Sequence, residues 1–250
     1  MKRPVLKGGL LGLAAYLIFL IAALPATYVS SWVGKHLPSV RLSDVSGSVF
    51  SGRAAAVRIG QSDLGAVDWS FDWLAPFTLT VGYRFHLHDD ARDLDGRLDA
   101  GFGSLHLRDL RGHVPVASLD AWSPLPTHSL SGNLVLDLKQ VQLKAGRLQS
   151  ATGDVELDDG SMSWPTPYTL GSYRMSLVPV AAGGITGEIS DVASPLKLHA
   201  DLSLGADGRY RLKGILAARD PGDAGTRNFL SGLGRPDSTG QYPFDFNGQW

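Results

Sequence analysis

The chain of 250 residues contains no cysteine. Disulfide frameworks, thiol nucleophiles and cysteine-ligated zinc are excluded together. Charge is also sparse: charged residues make up 19% of the chain and the formal net charge is −1, against a usual charged fraction of about 25%. Three of the cations, Lys2, Arg3 and Lys7, precede residue 8, so the remainder is more acidic than the whole. A nucleic-acid backbone would be repelled by that body. Catalytic signatures are missing as well. The chain has no G-x-S-x-G, H-E-x-x-H, G-x-G-x-x-G or P-loop pattern, so no enzyme activity, cofactor or small-molecule substrate is expected. The 44% hydrophobic content is nonetheless enough for a packed core, which excludes a disordered chain. Glycine is abundant, at 30 residues, where average usage would give about 18.

One long apolar run is present. Residues 8–29, GGLLGLAAYLIFLIAALPATYV, carry no charge, and about twenty such residues span a bilayer as a helix. The cations lie only on the N-terminal side, which places residues 1–7 in the cytoplasm by the positive-inside rule. Tyr28 and Trp32 suit an interfacial aromatic belt on the far side. The rival reading is a cleaved signal peptide with small residues at Ala22 and Ala23, but its apolar core would be about 7–15 residues and this one runs further. The expected organisation is a cytoplasmic tail (1–7), a retained single transmembrane anchor (8–29) and an exported, periplasmic β-rich domain (30–250) at the bacterial inner membrane.

From residue 40 onward the dominant period is two, the spacing at which side chains share one face of a strand. Leu79, Val81, Tyr83, Phe85 and Leu87 alternate with small or polar residues; Val67, Trp69, Phe71 and Trp73 alternate with Asp68, Ser70 and Asp72. Leu134, Leu136 and Leu138 continue the pattern, then slip one residue to Val141 and Leu143, which predicts a bulge or turn. The sharpest hairpin sets Leu196, Leu198, Ala200, Leu202 and Leu204 against Tyr210, Leu212, Gly214 and Leu216 across a Gly205–Gly208 turn. Asp158-Asp159-Gly160 and Asp93-Leu94-Asp95-Gly96 read as turns. A short helix is predicted from an N-cap at Thr226 to Gly234. The expected fold is mainly β: one antiparallel sheet domain after the anchor, folded over on itself or arranged in two layers so that its apolar face is covered.

Two groups of side chains are candidates for function. His86 and His88 share a strand face ahead of Asp89 and Asp90, a spacing that can ligate a metal. We reject a metal there because Arg84 occupies the same face, the pattern lacks a further histidine at Ala91, and the other histidines stand alone. The second group is Trp69, Phe71 and Trp73, which are either ordinary core or the lining of a surface for a partner strand or a lipid.

The anchor followed by Val45-Ser-Gly-Ser-Val-Phe-Ser-Gly-Arg-Ala and then Leu64-Gly-Ala-Val-Asp-Trp-Ser-Phe-Asp-Trp-Leu resembles the protein N family of the type II secretion system. The segment from Ser194-Pro-Leu-Lys-Leu to Arg-Leu-Lys-Gly214, Phe229-Leu-Ser-Gly-Leu-Gly-Arg-Pro-Asp, Gly240-Gln-Tyr-Pro-Phe and Gly248 carry the same resemblance. Phe50 stands where many relatives have tryptophan. Between about residues 90 and 185 the likeness reduces to β-patterning. The resemblance implies a bitopic inner-membrane accessory subunit that touches other secretion subunits, without catalysis or cofactor. A periplasmic lipid-binding or lipid-transfer protein with an apolar β-groove is the alternative. Either way, Leu198→Asp is expected to disrupt folding while a change at Arg211, on the outer face, is tolerated.

Overall fold

The computed structural model describes residues 24–27, 40–59, 62–73, 80–101, 103–121, 130–144, 147–163 and 167–249. The predicted anchor falls outside these apart from residues 24–27, and Leu79 also lies outside them. No helix among the described residues is long and apolar enough to cross a membrane.

Strand follows strand: β1 (Val40–Gly47), β2 (Ser51–Ile59), β3 (Ser62–Asp63), β4 (Ala66–Asp72), β5 (Val81–His88), β6 (Asp93–Gly101) and β7 (Ser104–Pro115). After a 3-10 turn at Val116–Ala121 come β8 (Leu130–Lys144), β9 (Arg147–Met162), β10 (Tyr168–Pro179), β11 (Gly184–Ala193), β12 (Leu196–Gly205) and β13 (Arg209–Ala218). Helix α1 (Ala224–Leu233) precedes the last strand, β14 (Tyr242–Gln249). All belong to one antiparallel sheet in which each strand pairs with its neighbour in sequence, β3 alone standing off the path beside β2. Nearest-neighbour pairing keeps loop closure short, so the chain meets few entropic obstacles in building the sheet.

The antiparallel β fold matches expectation, but a second layer does not form among the described residues. The sheet is continuous and open, with β1 and β14 as its edges. It bends instead. Cα atoms of β9 and β11 come within 8 Å although β10 lies between them, closer than the about 9.6 Å of two flat strand spacings. That bend gathers Ala151, Leu177 and Ile185 into a buried cluster, with Leu138, Val141, Met175 and Leu204 packed against it.

The predicted hairpin is present as β12–β13 with Leu196 opposite Ala218 and Leu204 opposite Tyr210. The slip after Leu138 is a bulge: the β8–β9 register shifts between Leu138 and Gln140. Three local predictions need correction. Asp158-Asp159-Gly160 is no turn but lies inside β9, where the register shifts against both neighbours and Asp159 takes φ 51; aspartate tolerates that left-handed geometry, so a bulge replaces a chain reversal. Asp93–Gly96 is likewise inside β6. The reversal falls earlier, where Asp89 N–H donates to Arg92 O at 3.0 Å and Asp89 Oδ1 accepts from Ala91 N–H at 2.8 Å. Gly96 is glycine because a Cβ there would lie 2.7 Å from the Phe85 ring. Finally, α1 is capped by Asp223, whose carboxylate accepts from Gly225 and Thr226 N–H, and ends at Gly234. Thr226 is buried instead, with its hydroxyl 2.7 Å from that of Tyr168.

Candidate interaction surface

Residues directly opposite across an antiparallel pair share a face, so the register sorts the whole sheet. One row runs Val45, Ala54, Val67, Leu87, Leu94, Gly112, Leu136, Val155, Met175, Ile189, Ala200, Gly214, Phe244, crossing every strand from β1 to β14 except β3 without one polar side chain. At about 4.8 Å per spacing the row is about 58 Å long. The residues one step along each strand make the opposite row: Ser46, Arg53, Asp68, His86, Asp95, Arg111, Asp137, Asp154, Ser176, Glu188, Asp201, Lys213, Asp245. Every member is polar. The first face is half-buried over most of its length.

One end of the apolar face is aromatic. Phe71, buried on β4, meets Tyr83 edge-on at 5.5 Å between centroids, and Phe50 at 5.2 Å. Trp73 falls one residue beyond β4, stacks on Phe50 at 5.2 Å and stays 63% exposed. Trp69 lies flat over Gly52, where a Cβ would come 2.4 Å from its ring, and its indole N–H donates to Ser48 O and Val49 O at 3.3 and 3.2 Å. The three aromatics named from the sequence therefore divide. Phe71 is core, Trp69 pins the β1–β2 turn, and Trp73 presents its ring at the surface.

The other end is closed by a polar knot. Ser194 Oγ is 2.6 Å from the Tyr173 hydroxyl, accepts from Leu196 N–H at 2.9 Å and reaches Leu170 O at 2.6 Å. Arg219 donates to Ser194 O at 2.8 Å and pairs with Asp191. Burial pushes the Tyr173 phenol above its ordinary value, as it does Tyr168, so both rings remain neutral hydrogen-bonding partners. Tyr168 stacks on Phe229 of α1 at 4.3 Å, which seats Leu230 against the sheet at 2% exposure. Sequence reasoning passed over Tyr168, Tyr173, Asp191 and Arg219 because their partners lie 21 to 58 positions away.

His86 and His88 lie side by side on the polar face, rings stacked at 4.7 Å, but they do not turn to one centre. His86 Nδ1 sits 3.0 Å from Asp95 Oδ1 and 3.6 Å from Asp93 Oδ1, and ligand atoms of the three residues lie within 4.8 Å of one another. His88 turns its Nε2 to Arg53 at 3.3 Å, and its Nδ1 lies 3.7 Å from Asp68, too far for a hydrogen bond. The partners of His86 come from β6 rather than from Asp89 and Asp90, the acids that the linear spacing suggested. Asp89 bonds Arg92 instead. The same acid-to-base pairing repeats along the face at Arg53–Asp68, Arg111–Asp137, Arg174–Glu156 and Arg211–Asp245. His86 with Asp95 thus takes a place in the same series of cross-strand polar pairs.

Fold and surface together define an open, single-sheet β protein whose distinguishing feature is one long apolar face with aromatic and polar closures at its ends. Residues 38–245 match the family model described as type II secretion system (T2SS), protein N, and the chain belongs to that family. It is 26% identical over 262 residues to the type II secretion system protein N of Vibrio cholerae serotype O1, and 28% over 269 residues to that of Aeromonas hydrophila, with both chains covered completely in each case. The Klebsiella pneumoniae protein of the same name is 25% identical over 248 residues, covering 97% of this chain and 95% of its own. No solved structure matches the chain. The segments that carried the resemblance in the sequence have structural work: Ser48 and Gly47 form the β1–β2 turn, Ser194 ties the knot, and Asp237 accepts from Thr239 and Gln241 N–H ahead of β14.

Proposed function

We propose that this protein is a non-enzymatic accessory subunit of the type II secretion system that supports export of folded proteins across the outer membrane through protein–protein contacts in the periplasm. Residues 8–29 hold it at the inner membrane with residues 1–7 in the cytoplasm, and the β domain faces the periplasm. The observation that carries this reading is the family match over residues 38–245. The open sheet supports it, because a half-covered apolar face and the open β14 edge suit a part that joins other parts. His86, Asp93 and Asp95 serve as polar surface groups and hold no metal. Tethering to the membrane raises the effective concentration for membrane-bound partners.

The test is photo-crosslinking in cells from a reactive residue placed at Trp73, combined with secretion of a folded substrate. Deletion of the gene is expected to lower secretion, and crosslinks to other secretion subunits are expected from Trp73. Unchanged secretion on deletion, or adducts to phospholipid alone, would overturn the proposal.

A further inference from the structure

The two edges of the sheet are not equivalent. In β1 Asp44 takes φ 50, a left-handed kink in an otherwise extended strand, while the register runs on unshifted from Ser43–Ala56 to Val45–Ala54. Beyond its end, Ala26 N–H donates to Gly47 O at 3.1 Å and Val49 N–H to Leu24 O at 2.9 Å. A left-handed kink and a covering segment both spoil an edge as a template for another strand. Among the described residues β14 has neither. It pairs with β13 residue by residue without a register shift, and the sheet ends there.

The register also tells which backbone groups of β14 point outward. Arg219 N–H donates to Pro195 O at 2.9 Å, so position 219 faces β12. Bonding direction alternates along a strand; hence the even positions of β13 face β14, and their partners Tyr242, Phe244, Phe246 and Gly248 face back. Pro243, Asp245, Asn247 and Gln249 turn their backbone groups to the open side. Proline there sacrifices no bond to β13, which is where an edge strand tolerates it. On the apolar face Phe246 lies opposite Leu212 and is 60% exposed because nothing stands beyond it.

We propose that β14 pairs antiparallel with β14 of a second copy of this chain, about a two-fold axis through Phe246. In that register Asp245 and Asn247 of the two copies exchange backbone bonds, and Gln249 N–H meets the Pro243 carbonyl. Every outward N–H is satisfied. Phe246 meets its own copy at a non-hydrogen-bonded position, where Cα atoms approach to about 4.5 Å and side chains are closest, and aromatic pairs there stabilise a sheet. The adjacent registers are worse. An axis at Asp245 opposes two carboxylates, and an axis at Asn247 sets Phe246 against Gly248. The inference stands on edge geometry and is independent of the secretion role.

The test is sedimentation equilibrium of the full chain in mild detergent. A dimer is expected for the native sequence, and a folded monomer that still unfolds cooperatively for both Phe246→Asp and Asn247→Pro, because both positions are exposed on the edge strand. Since the chain has no cysteine, Phe246→Cys supplies a single thiol that is expected to form an intermolecular disulfide on mild oxidation, while Ser203→Cys in mid-sheet forms none. A native monomer at the highest soluble concentration, a dimer that survives both edge substitutions, or Phe246→Cys adducts made only with other proteins would overturn the proposal.

Discussion

The two faces of this sheet are one residue apart along every strand, yet they meet the same solvent with opposite chemistry. On one, thirteen register-matched positions from Val45 to Phe244 are aliphatic, aromatic or glycine; on the other, the adjacent positions from Ser46 to Asp245 are polar throughout. The polar face is stabilised by short-range rungs such as Arg111 Nε to Asp137 at 2.9 Å and Arg174 to Glu156 at 2.8 Å, each exposed and therefore individually weak. Among the described residues the apolar face has no second sheet to cover it and depends on bending, small side chains and end closures. The comparison teaches that the sheet's stability is concentrated on one side, although both sides are equally regular.

The contrast breaks most severely at Leu196, which is 1% exposed. Leu196→Asp buries an unpaired carboxylate at a cost of several kcal/mol, comparable with a domain's whole stability of about 5–15 kcal/mol. Loss of cooperative thermal unfolding by circular dichroism is expected, while Lys197→Asp on the opposite face leaves the transition in place. A smaller effect is expected at Gly112, where φ is 136 and a Cβ would lie 1.8 Å from Asp93 O. Gly112→Ala forces β6 and β7 apart and is expected to lower stability by about 1–3 kcal/mol in urea titration. Next is the polar knot. Ser194→Ala removes the hydroxyl that joins Tyr173, Leu170 and Leu196, and leaving buried partners unsatisfied costs about 1–3 kcal/mol. A denaturant midpoint equal to the native one would show that water replaces the hydroxyl. The weakest effect belongs to the polar face. The Arg211 guanidinium, bonded to Asp245 at 2.9 Å, holds that carboxyl below the ordinary value of 3.8. A depressed carboxyl stabilises the fold above pH 3.8 and that contribution fades as pH falls through the lower folded value. In Arg211→Ala the carboxyl is expected to titrate closer to 3.8 by NMR, with little change in the unfolding midpoint at neutral pH.

Much of the architecture was legible because period-two patterning reports local face assignment directly. The β12–β13 hairpin and the bulge after Leu138 follow from alternation and its single interruption. Glycine and aspartate clusters were misleading for a physical reason: Asp158-Asp159-Gly160 has turn chemistry, and a long strand uses the same left-handed tolerance to absorb one extra residue. Gly96 looked like part of a turn, although its smallness serves the Phe85 ring on the adjoining strand. Of the aromatic group, the common face of Trp69 and Phe71 was readable, but the exposure of Trp73 was not, since it depends on β4 stopping at Asp72. The histidine pair shows the same limit. Two residues apart on one strand, His86 and His88 share a face as expected, while their acidic partners are chosen by the registers of β4 and β6.

Sequence alone determined which residues alternate, hence that the chain builds strands with one apolar and one polar face. Composition also removed cysteine chemistry and the standard catalytic motifs from consideration. Tertiary structure decided whether the apolar face would be covered by a second layer or left to a single curved sheet, because alternation is satisfied equally by both. It also decided which edge is blunted, through the left-handed kink at Asp44 and the bridge from residues 24–26, and which is left regular at β14. Register is a relation between distant segments, and no single strand carries it.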